Sequence, residues 1–589
     1  MAISLNWFYF ANSEASLTEI PAGAIPFQLN KQNSIELDSL EKRKHFTDEE
    51  CIVYNSFDLD AAQEIIFGCG VDWFFEAYLN GERLYSTMTS GNGCGYFIPE
   101  NHLFHGNCRK GKNLLAVRVR RGASSSAFAF AEIAPGVVTF TSAPLTVCAD
   151  PENSLGKIKL MNAVNNGPVV ARSDQSRGNL ALWKAAKIPY ARNHDAAFFS
   201  GYGGEHSVDI HAIFPDFSKD PYDAASYDFT LTDHFHQQII DAGTKVFFRL
   251  GSKIEHNIKK YGTVVPPDFK KWAVICEHII RHCNEGWADG HHMNIEYWEI
   301  WNEADISSGV EDKKTWQGTD EEFFELYRTA ATHLKKCFPH LKIGGPAHSG
   351  FSDEVSGPFI KYCAENNVPL DFYSYHGYDG DPKGWLQKTP VFAREMLDKY
   401  GYKDTEIHLN EWHYFPGDWH RLRTDAVYKR NMYNNEMKGI DSAAFLNMVM
   451  TLWQDSPITY GGYYTCNNSA WGCYETASNS PTASFFGLKA YGEIVRYPER
   501  FAASSDNENV VVLAGKNASG EKCVLITGFK TSVMDYIVEL DECVRPEDVE
   551  VRLIDENHML SVQENAIVEG NTIKFTHKSY SMVALIKIR

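Results

Sequence analysis

Residues 294–305 read NIEYWEIWNEAD, and residues 405–412 read TEIHLNEW. Each is a short run rich in apolar and aromatic residues that ends in an Asn-Glu pair beside a tryptophan. An apolar run of that length, bounded by polar residues, fits a strand buried on both faces, as in a parallel sheet. A carboxylate carried in such a strand is costly to bury without a partner, so Glu303 and Glu411 are candidates for chemistry rather than for surface solvation.

Working outward from these two runs, six further strand candidates complete a series: KIKLMNAV, IPYARN, TKVFFRLG, LKIGGPA, PLDFYSYH and SAAFLNMVMTLW, the last at 442–453 and ending in Trp453. Segments with helical periodicity lie between them, among them GNLALWKAAK, FTLTDHFHQQIIDAG, PPDFKKWAVICEHIIRHC, EEFFELYRTAATHLKKC and TDAVYKRNMYNNEMKG, and SFFGLKAYGEIV follows the last. Eight strand-helix repeats predict an α/β chain built on a (β/α)8 TIM barrel, placed at 153–497. Before it, EIIFGCG, DWFFEAYLNGERLYS and KGKNLLAVRVRRG alternate with period two around hairpin turns, which predicts an N-terminal β-sandwich over 1–152. After it, runs such as NVVVLAGKNASG and SMVALIKIR predict a C-terminal β-sandwich over 498–589.

At 589 residues the chain exceeds what one core holds, which agrees with several domains. Its net charge of -20 disfavours nucleic acid and anionic membranes as partners, whereas 13 Trp and 29 Tyr suit surfaces that grip sugars. The 13 cysteines are scattered without a CxxC pair, which argues for free thiols over a disulfide framework or zinc site. No basic n-region or membrane-length apolar run is visible, and a cytoplasmic location is the expectation. Oligomeric state is not legible.

Barrel enzymes build their sites at the C-terminal ends of the strands, where the fourth and seventh runs put Glu303 and Glu411. Cleaving a glycosidic bond needs such a pair: one carboxyl group protonates the leaving oxygen while the other attacks the anomeric carbon or activates water. The two must sit in different surroundings, with Trp301 and Trp412 as expected apolar walls and Arg192 as the expected cation. By strand alternation Glu299 faces the side of Trp301 and Glu303, and is expected to be a structural carboxylate paired with Arg192.

WEIWNEAD, the eight strands and the late strand ending in Glu-Trp resemble clan A glycoside hydrolases, and in particular glycoside hydrolase family 39, the β-xylosidases and α-L-iduronidases. The first region likewise resembles the jelly-roll domain that precedes the barrel in many β-glycosidases. The family resemblance implies a retaining enzyme with Glu303 as acid/base, Glu411 as nucleophile and Asn302 on the substrate 2-hydroxyl. It also implies that Arg192 supports the nucleophile and His194, in YARNH, contacts a sugar hydroxyl. His376 and Tyr378, in SYHGY, match the family's His-x-Tyr, with Tyr378 bonding the nucleophile, and Trp453 would be the aromatic platform ending the eighth strand. Ala304 departs from the family's Asn-Glu-Pro, and 451–475 matches no member of known specificity, which leaves the sugar open.

The substrate expected is an oligosaccharide or polysaccharide side chain cleaved from its end; endo-acting hydrolysis, transglycosylation and a non-catalytic carbohydrate-binding protein are the alternatives. Two carboxyl groups supply all the chemistry, so no cofactor and no metal are expected. His278 with His282, and His291 with His292, are read as a solvated face, and the glycines of GYGG at 201 and YGGYY at 460 as rim loops.

Overall fold

The computed structural model describes residues 6–42, 47–88, 91–92, 97–122, 125–135, 144–168, 178–194, 208–256, 258–306, 313–476, 478–531, 533–577 and 579–589. Eight parallel strands close a barrel. They are β1 (Ala163–Asn165), β2 (Tyr190–Arg192), β3 (Lys245–Leu250), β4 (Tyr297–Ile300), β5 (Lys342–His348), β6 (Phe372–Asp379), β7 (Glu406–Tyr414) and β8 (Tyr460–Tyr463). Closure comes from β1 against β8, with Ala163 opposite Gly462 and Val164 opposite Tyr463. The covering helices are α1 (Leu180–Ala185), α2 (Thr230–Asp241), α3 (Phe269–Glu285), α4 (Asp320–Cys337), α5 (Asp353–Glu365), α6 (Trp385–Lys399), α7 (Ile440–Leu452) and α8 (Ala483–Ile494).

Local chemistry sets the helix ends. Asp268 caps α3 by accepting from the Lys270 and Lys271 amides, and α3 stops at Gly286 in the left-handed region. Thr319 and Glu322 form a reciprocal capping box at the start of α4. Along β4, Trp298 and Ile300 join the core between barrel and helices, while Tyr297 packs in a separate cluster with Phe247 and Phe372. That cluster fills the lower half of the barrel with rings: Phe247 stacks on Tyr297 at 5.4 Å, and His408 on Phe372 at 4.5 Å. The floor beneath the site is therefore solid.

The eighth strand is not where its apolar run suggests. Residues 442–453 lie in and just after α7, whose positions from Ser442 to Thr451 are all buried, because this helix packs on α8 and on strands of the C-terminal sheet. A helix apolar on every side has no amphipathic stripe to distinguish it from a buried strand. The true strand, Tyr460–Tyr463, is YGGY, part of the glycine-rich stretch expected to be a rim loop. Its glycines are dictated by neighbours: a Cβ on Gly461 would lie 2.5 Å from the Trp453 ring, and one on Gly462 2.5 Å from the Asn410 carbonyl oxygen.

The N-terminal region is a β-sandwich of a six-stranded and a four-stranded antiparallel sheet. It meets the excursion after β7 through Arg430 Nη2, which donates to Asn101 Oδ1 at 2.7 Å, and Tyr85 Oη, which donates to Asn435 Oδ1 at 3.3 Å. A ten-stranded sheet follows the barrel. The strand Leu145–Lys157 belongs to this last sheet, antiparallel to Glu499–Ser505 and parallel to Asp535–Glu539. A boundary drawn between 152 and 153 cuts that strand in two, since hydrophobic pattern marks a strand but not its partner. Among the described residues no helix is long and apolar enough to cross a membrane.

Gly462→Ala places a methyl group against backbone that cannot yield. It is expected to cost about 1 to 3 kcal/mol, read as a lower midpoint in thermal or denaturant unfolding; an unchanged midpoint would contradict the close approach of β7 and β8.

Candidate active site

Two backbone devices aim the polar residues into the barrel. After β4 the chain turns through Trp301 at φ 75° and Glu303 at φ 49°, left-handed conformations that a bulky side chain adopts only where its surroundings compel it. Surrounding groups do compel it. The Trp301 amide donates to the Leu250 carbonyl at 2.7 Å, the Glu303 amide to Ala347 at 2.8 Å, and Thr315 Oγ1 to the Glu303 carbonyl at 2.5 Å. In β7 a register shift follows Leu409, so Tyr375 pairs with Leu409 but His376 with Glu411. Strict alternation would turn Glu411 away from Asn410; the bulge lets both point inward.

Arg192 lies under the site, fully buried. Its Nε donates to Glu299 Oε2 at 2.7 Å, Nη1 to Asn165 Oδ1 at 3.1 Å and Glu411 Oε2 at 3.3 Å, and Nη2 to Asn302 Oδ1 at 2.7 Å. Glu299 also accepts from Ser374 Oγ at 2.6 Å and from Asn410 Nδ2. Burial opposes the guanidinium charge, but Glu299 and Glu411 more than offset it, and its pKa rises. Glu299 thus sits a layer below the pocket, joined to the cation expected for it.

Above this layer Glu303, His376 and Glu411 converge, with one oxygen of each carboxylate and a nitrogen of the imidazole all within 4.8 Å of one another. His376 Nδ1 is 2.6 Å from Glu303 Oε1 and 3.6 Å from Glu411 Oε2. Tyr378 donates its hydroxyl to Glu411 Oε1, and His194 Nε2 stands 3.8 Å from Glu411 Oε2. Burial pushes the Glu411 carboxyl up to about 7 and Glu303 adds to the rise, against the pull of His376, Arg192 and Tyr378. Burial holds His376 below the usual imidazole range. One buried guanidinium facing three carboxylates leaves an excess of negative charge, so the upper pair is expected to retain a proton at neutral pH.

Asn302 is oriented by its neighbour. Arg192 can only donate, so Asn302 Oδ1 must face it, which leaves Nδ2 buried with no acceptor among the described residues. An unmet buried donor costs about 1 to 3 kcal/mol; an acceptor from a bound molecule would relieve that cost.

Three expectations change. Trp453 caps the C-terminus of α7, has no exposed surface, donates its indole N–H to the Leu386 carbonyl at 3.0 Å and packs edge-on to Trp412 at 4.8 Å. It cannot be a sugar platform. Trp301 packs on Trp272 and Trp316, and Trp412 on Trp453 and Tyr463, so neither walls the carboxylates. The aromatic surface beside Tyr378 comes instead from the segment after β8: Trp471 lies 5.5 Å from Tyr378, 5.4 Å from His413 and 6.3 Å from Tyr464. Trp419 stacks on Trp471 at 5.8 Å and borders an open cavity of about 440 Å³ lined also by Tyr378, Asp379 and Phe415. Sequence reading passed over Tyr464 and Trp471; the signal available was the aromatic spacing in YYTCNNSAW.

The histidines of α3 are likewise not solvated. His278 and His282 are 6% and 2% exposed, packed against Trp287 and Phe229. The GYGG stretch at 201 lies outside the described residues.

Fold and site together define a (β/α)8 barrel with two opposed carboxylates at its C-terminal rim. The sequence pattern of "Glycosyl hydrolases family 39" matches residues 198–407, so the chain is family 39-like over much of its barrel. It is 36% identical over 149 residues to a β-xylosidase of Geobacillus stearothermophilus, a stretch covering 25% of this chain and 26% of the relative. It is 30% identical over 166 residues to a β-xylosidase of Caldicellulosiruptor saccharolyticus, covering 26% of this chain and 32% of the relative. The aligned stretches thus span about a quarter to a third of these curated relatives. In fold it resembles the crystal structure of a glucosidase from Croceicoccus marinus, with a TM-score of 0.62 and 22% identity over 76% of this chain and 100% of that one.

Glu411→Gln tests the buried charge. A carboxyl pKa raised by folding favours the native state at low pH, and that benefit is lost as pH climbs from the unfolded value through about 7. The variant cannot ionise there, so its stability relative to the parent should grow between pH 5 and pH 8, by a few kcal/mol at most. Denaturant midpoints at the two pH values check this; a constant difference would contradict it.

Proposed function

We propose that the chain is a retaining glycoside hydrolase that removes sugars from chain ends by double displacement, with Glu411 as nucleophile and Glu303 as general acid/base. The observation that carries this reading is that one oxygen of each carboxylate lies within 4.8 Å of the other, with His376 Nδ1 reaching both. Retaining sites hold the pair about 5 to 5.5 Å apart, whereas inverting sites need about 6.5 to 9.5 Å to admit a water.

The donors around each carboxylate support the assignment of roles. Arg192 and Tyr378 both donate to Glu411 and favour its anion. Double displacement requires the proton the pair shares to rest on Glu303, and a neutral Glu303 no longer adds to the rise of Glu411. In the first step a Glu411 oxygen attacks the anomeric carbon while Glu303 transfers its proton to the departing glycosidic oxygen, leaving a glycosyl ester on Glu411. Glu303, now a carboxylate, takes a proton from water as that water attacks the same carbon and releases Glu411. Asn302 Nδ2 is the donor proposed for the 2-hydroxyl, and His194 a contact to a neighbouring hydroxyl. The Trp419, Trp471 and Phe415 rings cluster beside Tyr378, and action at chain ends assigns them to one end of the cleft. The β-xylosidase relatives make aryl β-xylosides the first substrates to try, with aryl β-glucosides next.

Glu303→Gln should slow hydrolysis of glycosides with poor leaving groups by about 10² to 10⁴ yet spare activated aryl glycosides, which need little protonation. Glu411→Gly should lose nearly all turnover and regain part of it with azide, forming the inverted glycosyl azide. Equal losses on both substrate types for the first variant, or no rescue of the second, would contradict the roles.

A further inference from the structure

We propose that Asp233, His282 and His291 form a zinc site on the outer wall of the barrel, holding α2, the end of α3 and the segment leading into β4. His282 Nε2 lies 3.0 and 3.1 Å from the two oxygens of Asp233, and His291 Nε2 lies 3.2 Å from Asp233 Oδ2. All three ligand atoms are within 4.8 Å of one another.

The placement of the ring nitrogens carries the argument. His282 Nδ1 is 2.9 Å from the Trp287 carbonyl, which only accepts, so Nδ1 bears the hydrogen. Nε2 is thereby the ring atom turned to the Asp233 carboxylate, where a proton or a metal ion bridges the 3.0 Å gap, and a bound zinc would take the place of that proton. A backbone carbonyl on the far ring nitrogen is the usual arrangement behind a metal-bound histidine. The ring cannot turn away, being stacked on Phe229 at 3.5 Å between centroids and 4° between planes.

His291 is delivered to the same point by a tight loop. Its amide donates to the His282 carbonyl at 2.7 Å, and its carbonyl accepts from the Gly286 amide at 3.0 Å. Two nitrogens and one carboxylate oxygen suit four-coordinate zinc, whose bonds of about 2.0 to 2.2 Å set neighbouring ligand atoms about 3.4 Å apart. The separations of Asp233 from the two histidines need open by only a few tenths of an ångström, and the two histidine nitrogens lie within 4.8 Å of each other. Asp233 and His291 are 24% and 39% exposed, which leaves a fourth position for water. A second cluster of Glu277, His333 and Cys337 differs in kind, because Arg281 already supplies a cation to Glu277 at 2.8 Å.

The test uses the full chain stripped with a chelator and then titrated with zinc. One zinc should bind per chain at micromolar or lower concentration, raising the thermal midpoint in step with zinc concentration. His291→Ala removes a partly exposed ring and should leave the metal-free midpoint near that of the parent. It should weaken zinc binding by more than the roughly 100-fold that loss of an outer-shell partner can cost. Asp233→Asn should do the same, while Cys337→Ser should bind zinc as the parent does. Absence of saturable binding, or zinc affinity in His291→Ala and Asp233→Asn equal to the parent's, would overturn the proposal.

Discussion

The guanidinium of Arg192 is the interaction on which the rest of the site depends. It is fully buried, and its hydrogen bonds reach Asn165 on β1, Glu299 on β4, Asn302 just after β4 and Glu411 on β7. Removing one partner of such a buried ion pair typically costs about 3 to 5 kcal/mol because the other charge is left uncompensated. The network therefore fixes the relative positions of strands that share few direct contacts. It also sets the electrostatics above it: Glu299 is neutralised from below, and the carboxylates of Glu303 and Glu411 are left to share what remains of the positive field.

Precision in the upper layer comes from departures from regular structure. A strand alternates its side chains, so it cannot by itself present Asn410 and Glu411, or Asn302 and Glu303, to one pocket. The bulge in β7 and the left-handed turn after β4 solve the same problem in two ways, and each turns a tryptophan into the helical layer. Trp301 and Trp412 thus anchor the carboxylate-bearing segments from behind. The aromatic floor of Phe247, Tyr297, Phe372 and Tyr460 keeps the Arg192 layer from sinking.

Much of this was legible in the sequence because the apolar runs of β2 to β7 are short, distinct and tipped with polar residues. The pairing of Arg192 with Glu299 could be anticipated, since a carboxylate in an apolar strand demands a cation. What escaped detection has physical causes. α7 is buried on all sides, so its pattern carries no period, and YGGY is a strand whose glycines answer to Trp453 and Asn410, groups remote in sequence. The platform role expected of Trp453 failed with the strand assignment, and the walls expected of Trp301 and Trp412 failed because alternation is broken where they sit. The strand Leu145–Lys157 was legible as a strand but not as a member of the last sheet.

Family 39-like character over the barrel and the geometry of two opposed carboxylates meet in one claim, that Glu411 bonds to the sugar during turnover. The most direct measurement is intact-protein mass spectrometry after incubation with an activated 2-deoxy-2-fluoro glycoside of a sugar the protein is found to release, followed by peptide mapping. A mass gain of one fluoroglycosyl unit, located on the peptide containing Glu411 and abolished in Glu411→Gln, is the predicted result. No adduct with a sugar that is turned over, or an adduct on another residue, would contradict the account.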